Sequence, residues 1–334
     1  MFAALRAVLG LAVLGYVFTL VQPDSFRTLG DRRHLAWAGF ALVCLAANCW
    51  VAAWRWQLLL KGLGVTERIA PLLRAVYVGA FYNLVLPGQL GGQAIKVMLL
   101  GRRSPALPAI LASVAMDQLV VIVSLFGLAF CTAATAPGIS HRGDWMLGFG
   151  ITVVVATLLT LFIIAPRLQA RLFARVRRRG RMLWLPDALR RHTASTWRAI
   201  ASYGEVPGLL ALAVAQGLIF LLTLGGMALG LARAVGIELD ARVILFVLML
   251  ALVAGAAPFT LAGLGTREAA FTAALAEFGI ARGTGAAFAL LWLFLNSLAD
   301  MVGGVMQFWH PRQTGTLERP QPRHGVATME DSPG

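Results

Sequence analysis

Charge is scarce in this chain. Of its 334 residues, 13% are charged and 59% are hydrophobic, and the mean hydropathy is +0.76. A water-soluble domain cannot cover that much apolar surface, so lipid must be the solvent for most of the chain. Lysine is nearly missing. Lys61 and Lys96 stand among 29 basic residues, so the formal charge of +14 is almost all arginine. In a membrane chain such an excess marks loops lying against anionic lipid, and no nucleic-acid partner is expected. There are three cysteines, Cys44, Cys49 and Cys131, each inside an apolar stretch. They read as small buried hydrophobes, not a disulfide framework. The five histidines are scattered without ligand spacing, so neither a metal nor another cofactor is expected. The patterns G-x-x-x-x-G-K-[S/T], G-x-S-x-G and H-E-x-x-H are missing too. Nucleotide hydrolysis and the common hydrolase chemistries therefore have no carrier, and the chain reads as a non-enzyme.

What is present is a series of long apolar runs. A spanning helix needs about 20 such residues. Six runs qualify, approximately 3–21, 35–60, 107–135, 147–165, 206–232 and 284–309. The first resembles a signal peptide but has no clear small-residue cleavage site, so it reads as a retained helix. Two further stretches, 69–86 and 241–257, each run into a short interruption. Pro87–Lys96 aligns with Pro258–Arg267 on the pattern P-x-x-L-x-G-x-x-x-[K/R]. The apolar pieces that follow, 93–100 and 267–279, are too short to cross alone. Each motif therefore reads as the tip of a helical hairpin that enters and leaves on one side. Such backbone survives at depth only where protein or a wet cavity satisfies it.

Charge orients these elements. Ten arginines lie between Pro166 and Arg198 against one acid, Asp187, which marks 166–198 as cytoplasmic. Counting outward from that loop puts both termini in the cytoplasm. The first hairpin then opens inward and the second outward. The expected fold is an all-α polytopic membrane protein of about six full spans and two Pro/Gly-broken hairpins. Repeat one covers about 35–135 and repeat two about 206–309, related as inverted repeats. The transmembrane domain covers 1–310, and residues 311–334 form a polar tail expected to be disordered. The arginine-rich stretch contains Leu172, Phe173, Val176 and Trp184 and could lie on an anionic lipid surface, or serve only as a topology signal.

The motifs have a readable chemistry. Gly91, Gly92, Gly263 and Gly265 let backbone approach a ligand closely. The helices that follow begin near them, and their first N–H groups carry the positive dipole end. Lys96 and Arg267 sit in or near those first turns. Together these residues would attract an anion, with phosphate the natural candidate. The plainer alternative is that Gly and Pro only end one helix before the next, with Lys96 snorkelling to an interface. Asp117, Glu268 and Asp300 also fall inside apolar runs, where each charge is costly. They are candidates for coupling or charge balance. Glu268 adjoins Arg267 as a counter-ion. For Asp117 and Asp300, an ion pair with Lys96 or Arg267 and proton coupling both remain open. Arg55 and Arg74 lie nearer the helix ends and read as snorkelling anchors.

Arg55-Trp56-Gln57-Leu58-Leu59-Leu60, the Pro87–Lys96 motif, Asp117-Gln118-Leu119 and Pro258–Ala269 carry a resemblance. Over roughly residues 5–310 the chain resembles the flippase-like membrane region of lysylphosphatidylglycerol synthases, which also occurs alone in bacterial and archaeal proteins. The family often has an acid followed by Arg where this chain has Asp117-Gln118. In the synthases this region is credited with moving aminoacylated phosphatidylglycerol between leaflets. The resemblance implies a lipid translocase of the bacterial inner membrane acting on an anionic or phosphate-bearing lipid. No aminoacyl-transferase domain follows the region in this sequence. The alternative is a non-transporting membrane subunit that regulates a lipid- or glycolipid-modifying partner enzyme.

Overall fold

In lipid a backbone must satisfy its own N–H and C=O groups, so these apolar runs fold as helices. A computed structural model of the protein describes residues 12, 14–20, 32–85, 90–101, 106–165, 187–256 and 265–309. The helices are α1 (Arg32–Gly62), α2 (Ile69–Val85), α3 (Leu90–Gly101), α4 (Leu107–Thr135), α5 (Arg142–Ile164), α6 (Asp187–Ser202), α7 (Pro207–Ala234), α8 (Ala241–Ala256), α9 (Thr266–Glu277) and α10 (Arg282–Trp309). Residues 14–19 are helical as well. There is no strand among the described residues. Five helices, α1, α4, α5, α7 and α10, are long and apolar enough to cross a membrane. The expected first span, 3–21, lies largely outside the described residues, as do the motif tips 86–89 and 257–264 and the tail 310–334.

One expectation needs correction. The sequence reading runs a loop through 166–198, but Asp187–Ser202 form α6. Trp197 and Ile200, three apart on one face, pack with Leu59, Met116, Ile164 and Ala213. An apolar stripe on an otherwise polar segment makes an amphipathic helix that docks against α4 and α5. Residues 166–186 lie outside the described residues.

The contacts fix the direction of each helix. The Tyr203 hydroxyl donates to the Leu59 carbonyl at 2.9 Å, and Gly62 lies against Leu209. The end of α1 is thus beside the start of α7. At the other end, His34 Nδ1 donates to the Arg233 carbonyl at 2.8 Å. Helices α1 and α7 are therefore antiparallel along their whole length. Their crossing uses Gly226 and Gly230, a small-x-x-x-small pair that lets backbones approach. Gly226 meets Cys44, and Gly230 meets the Trp37 carbonyl and Ala41.

Both hairpins return to the side they entered. Helix α2 follows the end of α1, and the start of α4 is beside that same end. Trp56 Nε1 donates to Ser113 Oγ at 3.0 Å, and Leu60, Val65, Leu72 and Ile110 share one cluster. Arms α2 and α3 have 17 and 12 residues, about 25 and 18 Å of helix. Neither spans about 30 Å of hydrocarbon. In the second repeat, α8 and α9 have 16 and 12 residues. Leu231, Val243, Leu275 and Phe288 meet in one core there, so α10 starts where α7 ended. Because α1 and α7 are antiparallel, hairpin α2–α3 opens to one membrane face and hairpin α8–α9 to the other. The repeats are inverted. Contacts between them follow the same two-fold logic: α1 pairs with α7, α2 with α10, and α4 with α8. The face at which α1 ends is called the first face below, and its opposite the second.

Candidate functional site

In each hairpin the aliphatic stem of the basic side chain packs on a glycine of the entering helix. A Cβ at Gly79 would meet Lys96 Cγ at 3.2 Å and the Gly92 carbonyl at 2.9 Å. A Cβ at Gly255 would meet the Arg267 side chain at 3.3 Å. Gly92 in turn is pressed against the Gly79 carbonyl and Asn83. Close approach of the two arms therefore explains Gly92. Gly265 has φ +84°, a backbone state that favours glycine. Gly91 is half-buried at the start of α3, and Gly263 lies outside the described residues.

Two of the helix-start N–H groups expected to hold an anion already have internal partners. The Gly92 N–H donates to Asn83 Oδ1 at 2.7 Å. The Gly265 N–H donates to Glu268 Oε2 at 2.7 Å. Glu268 is fully buried and reaches back over the first turn of α9 as a capping residue does. Its other oxygen accepts from Arg267 Nε and Nη2 at 3.1 and 3.0 Å. Glu268 is thus the counter-ion that the sequence suggested.

Arg55 is not a snorkelling anchor. It is 2% exposed, and its Nε donates to Asp117 Oδ1 at 2.7 Å. Its guanidinium lies 4.8 Å from the centroid of the Phe220 ring. Desolvation forbids leaving Arg55 or Asp117 alone in this junction of α1, α4 and α7, so each serves as the other's partner. Asp117 therefore pairs with Arg55, and with neither Lys96 nor Arg267. Arg55 Nη1 and both amide atoms of Gln216 are buried without a hydrogen-bond partner among the described residues.

Lys96 and Asp300 are placed differently. The Lys96 ammonium lies 5.7 Å from the Trp56 ring centroid, a cation–π distance. It has no ion pair among the described residues, although Asp117 and Arg55 lie within electrostatic range. Asp300 makes neither a hydrogen bond nor an ion pair among the described residues, and Arg267 lies within range. Cys49 shares a hydrogen bond with Tyr77 and lies within electrostatic range of both Asp300 and Lys96. Asp117 is ten residues inside α4 and Asp300 nine from the end of α10, each about 15 Å along its helix from the first face. Both acids therefore sit at similar depths in the membrane.

Helix α10 is held against α2 there by glycine. A Cβ at Gly303 would strike the Tyr77 carbonyl, and one at Gly304 the Phe81 ring at 2.8 Å. Just beyond, Phe81, Met301, Gly304, Val305 and Phe308 line an open apolar groove of about 550 Å³. Cys49, Tyr77, Asn83 and Gln216 did not stand out in the sequence. A polar side chain within an apolar run was the available signal, and Asn83, four residues before Pro87, was its clearest case.

The family model described as the lysylphosphatidylglycerol synthase TM region matches residues 3–304. A UPF0104 membrane protein of Pyrococcus horikoshii is 26% identical over 127 residues, 36% of this chain. The match spans 36% of that relative's own length. No solved structure matches the chain.

Proposed function

The chain belongs to the lysylphosphatidylglycerol synthase transmembrane-region family, and from that premise we propose that it moves a phosphate-bearing or anionic lipid between the leaflets of a bacterial inner membrane. The observation carrying this reading is the pair of oppositely opening hairpins, each with the stem of a basic side chain packed on a glycine of its partner arm. Inverted repeats that place discontinuous helices at mid-membrane suit alternating access. Lys96 and Arg267 hold the headgroup, and the acyl chains stay in lipid. Rocking of one repeat against the other along the α1–α7 seam exposes the headgroup to each leaflet in turn. Asp117, Glu268 and Asp300 balance the charges inside. The arginine-rich 166–198 segment faces the cytoplasm and its anionic lipid, and both termini are cytoplasmic. The reading assigns the chain no catalytic step.

The test uses proteoliposomes carrying tail-labelled fluorescent phosphatidylglycerol, with an impermeant quencher reporting the outer leaflet. The wild type should transfer the label well above protein-free vesicles, and Lys96→Ala and Arg267→Ala should each slow it strongly. Folded variants that transfer as fast as the wild type would remove these cations from headgroup binding.

A further inference from the structure

Three buried polar atoms in the α1–α7 seam have no hydrogen-bond partner among the described residues. They are Arg55 Nη1 and both amide atoms of Gln216. Gln216 is 1% exposed and Arg55 2%. The register of the seam brings the two residues to one level. A Cβ at Gly62 would meet Leu209 at 2.6 Å, and one at Gly230 would meet Ala41 at 3.0 Å. Between those contacts, Asn48 Nδ2 donates to Thr223 Oγ1 at 2.9 Å. Gly62, Asn48 and Ala41 are whole heptads apart on α1, as are Leu209, Thr223 and Gly230 on α7. A seven-residue step keeps both helices facing one seam. The step between Gly62 and Asn48 sets Arg55 opposite Gln216. Two further contacts agree. The Arg55 guanidinium lies 4.8 Å from the centroid of Phe220, one turn after Gln216. Leu59 shares a cluster with Ala213, just before Gln216. The Asn48–Thr223 layer closes with a direct hydrogen bond, and the Arg55–Gln216 layer does not. Buried polar groups are almost always hydrogen-bonded, so this layer calls for a partner.

We propose that this layer binds a neutral hydroxyl oxygen, which accepts from Arg55 Nη1 and Gln216 Nε2 and donates to Gln216 Oε1. Charge selects neutrality. The Arg55 guanidinium already has Asp117 in contact at 2.7 Å, so the layer balances without an added ion. A further cation would face Arg55 and a further anion Asp117, where uncompensated charge is costly. The hydrogen-bonding atoms select a hydroxyl. Two donors and one acceptor need partners, and a hydroxyl both accepts and donates. A carbonyl or ester oxygen would leave Gln216 Oε1 bare. Water and an alcohol group of a lipid headgroup share this chemistry. Arg55 belongs to the first repeat and Gln216 to the second, so the hydroxyl bridges the two. A bridge that exchanges lets the two faces slide without stranding either side chain. The site stands on the seam geometry alone, and its use by a headgroup rests on the translocase reading.

Two measurements separate the sources. In the first, detergent-purified protein is mixed with oxygen-18 water and irradiated with X-rays, so that an ordered water labels the side chains beside it. Water in the layer should label Phe220, while Phe271, fully buried in the α9–α10 core, stays unlabelled. In the second, proteoliposomes transfer tail-labelled phosphatidylglycerol or phosphatidylpropanol, which carry the same phosphate charge and differ in two hydroxyls. A headgroup alcohol in the layer should make the wild type favour phosphatidylglycerol. Gln216→Met keeps the side-chain length and should cut the signal about tenfold, the scale of one hydrogen bond lost in a charged site. Gln216→Asn keeps an amide and should retain part of it. Loss of the label in Gln216→Met assigns the hydroxyl to water, and loss of the lipid preference assigns it to the headgroup. The site falls if the variants diminish neither signal, and a wild type showing neither overturns it before any variant is made. A wild type that moves neither lipid overturns translocation, and the label then decides the site by itself.

Discussion

Replacing Asp117 with leucine should be among the most damaging single changes in the chain. Arg55 is 2% exposed and Asp117 5%, so the remaining guanidinium would stay desolvated with no counter-ion in contact. Breaking a buried pair from one side costs about 3–5 kcal/mol. Lys96 lies within electrostatic range of both residues, and removing Asp117 leaves two cations facing each other. The upper half of that range is therefore expected. Even 3 kcal/mol lowers the folded-to-unfolded ratio by about 150-fold. The double change Arg55→Met with Asp117→Leu removes both charges and should recover most of the loss. Buried pairs exchanged for apolar residues are often neutral or stabilising. The double variant still gives up the Arg55–Phe220 contact at 4.8 Å, worth about 1–2 kcal/mol when desolvated. It should thus settle about 1–2 kcal/mol below wild type. Equilibrium unfolding in mixed micelles of rising dodecyl sulfate fraction, followed by tryptophan fluorescence, gives all four corners of the cycle. Single variants each within about 1 kcal/mol of wild type, with effects that simply add in the double, would refute this account of the α1–α4–α7 junction.

Three further outcomes follow from the packing and the charges. Gly303→Ala should destabilise by about 1–3 kcal/mol, because its new methyl meets the Tyr77 backbone carbonyl and not a flexible side chain. Gly39→Ala, with nothing within 4 Å, is the matched control and should be close to neutral in the same unfolding assay. Gly265→Ala should cost about 1–3 kcal/mol for forcing a side chain onto φ +84° and ψ −50°, and amide exchange should rise locally at the start of α9. At the second face, the Asp240 carboxyl is held below its usual value by side-chain hydrogen bonds from Arg242, then by the Arg242 backbone N–H. That depressed value makes the contact complete above the ordinary carboxylate range and lost as pH falls through the folded value. Arg242→Ala should move the Asp240 midpoint upward toward the ordinary value, as read by carbon-13 titration of labelled aspartate.

The sequence was most informative where composition and length act alone. Apolar runs set the long helices, and two Pro/Gly interruptions of matching spacing exposed the hairpins. Charge bias gave opposite openings, and the antiparallel α1–α7 contact bears out the inversion independently of any charge rule. The misreadings came from three-dimensional pairing. Arg55 lies seven residues before the end of its helix, which in one dimension looks like a snorkelling position. Only the approach of α4 places Asp117 at its Nε. The loop ending at Arg198 was misread because its arginines outweighed the stripe made by Trp197 and Ile200, whose partners lie on other helices. Glu268 was read from the sequence as a polar residue beside its motif, and Asn83 was passed over. That each takes a helix-start N–H became clear only from geometry, because a hydrogen bond depends on direction and distance that spacing does not encode.

The pairing of α2 with α10 has a consequence for how the chain is made. The first hairpin is synthesised early, but the helix that closes over its flank through Gly303 and Gly304 is the last one described to leave the ribosome. Until then Tyr77 and Phe81 face whatever the nascent membrane offers, lipid or a chaperone of insertion. Assembly of the first repeat therefore cannot finish before the second has been threaded. A truncation that removes α10 should leave an inserted but unsealed intermediate, the natural substrate for membrane quality-control proteases.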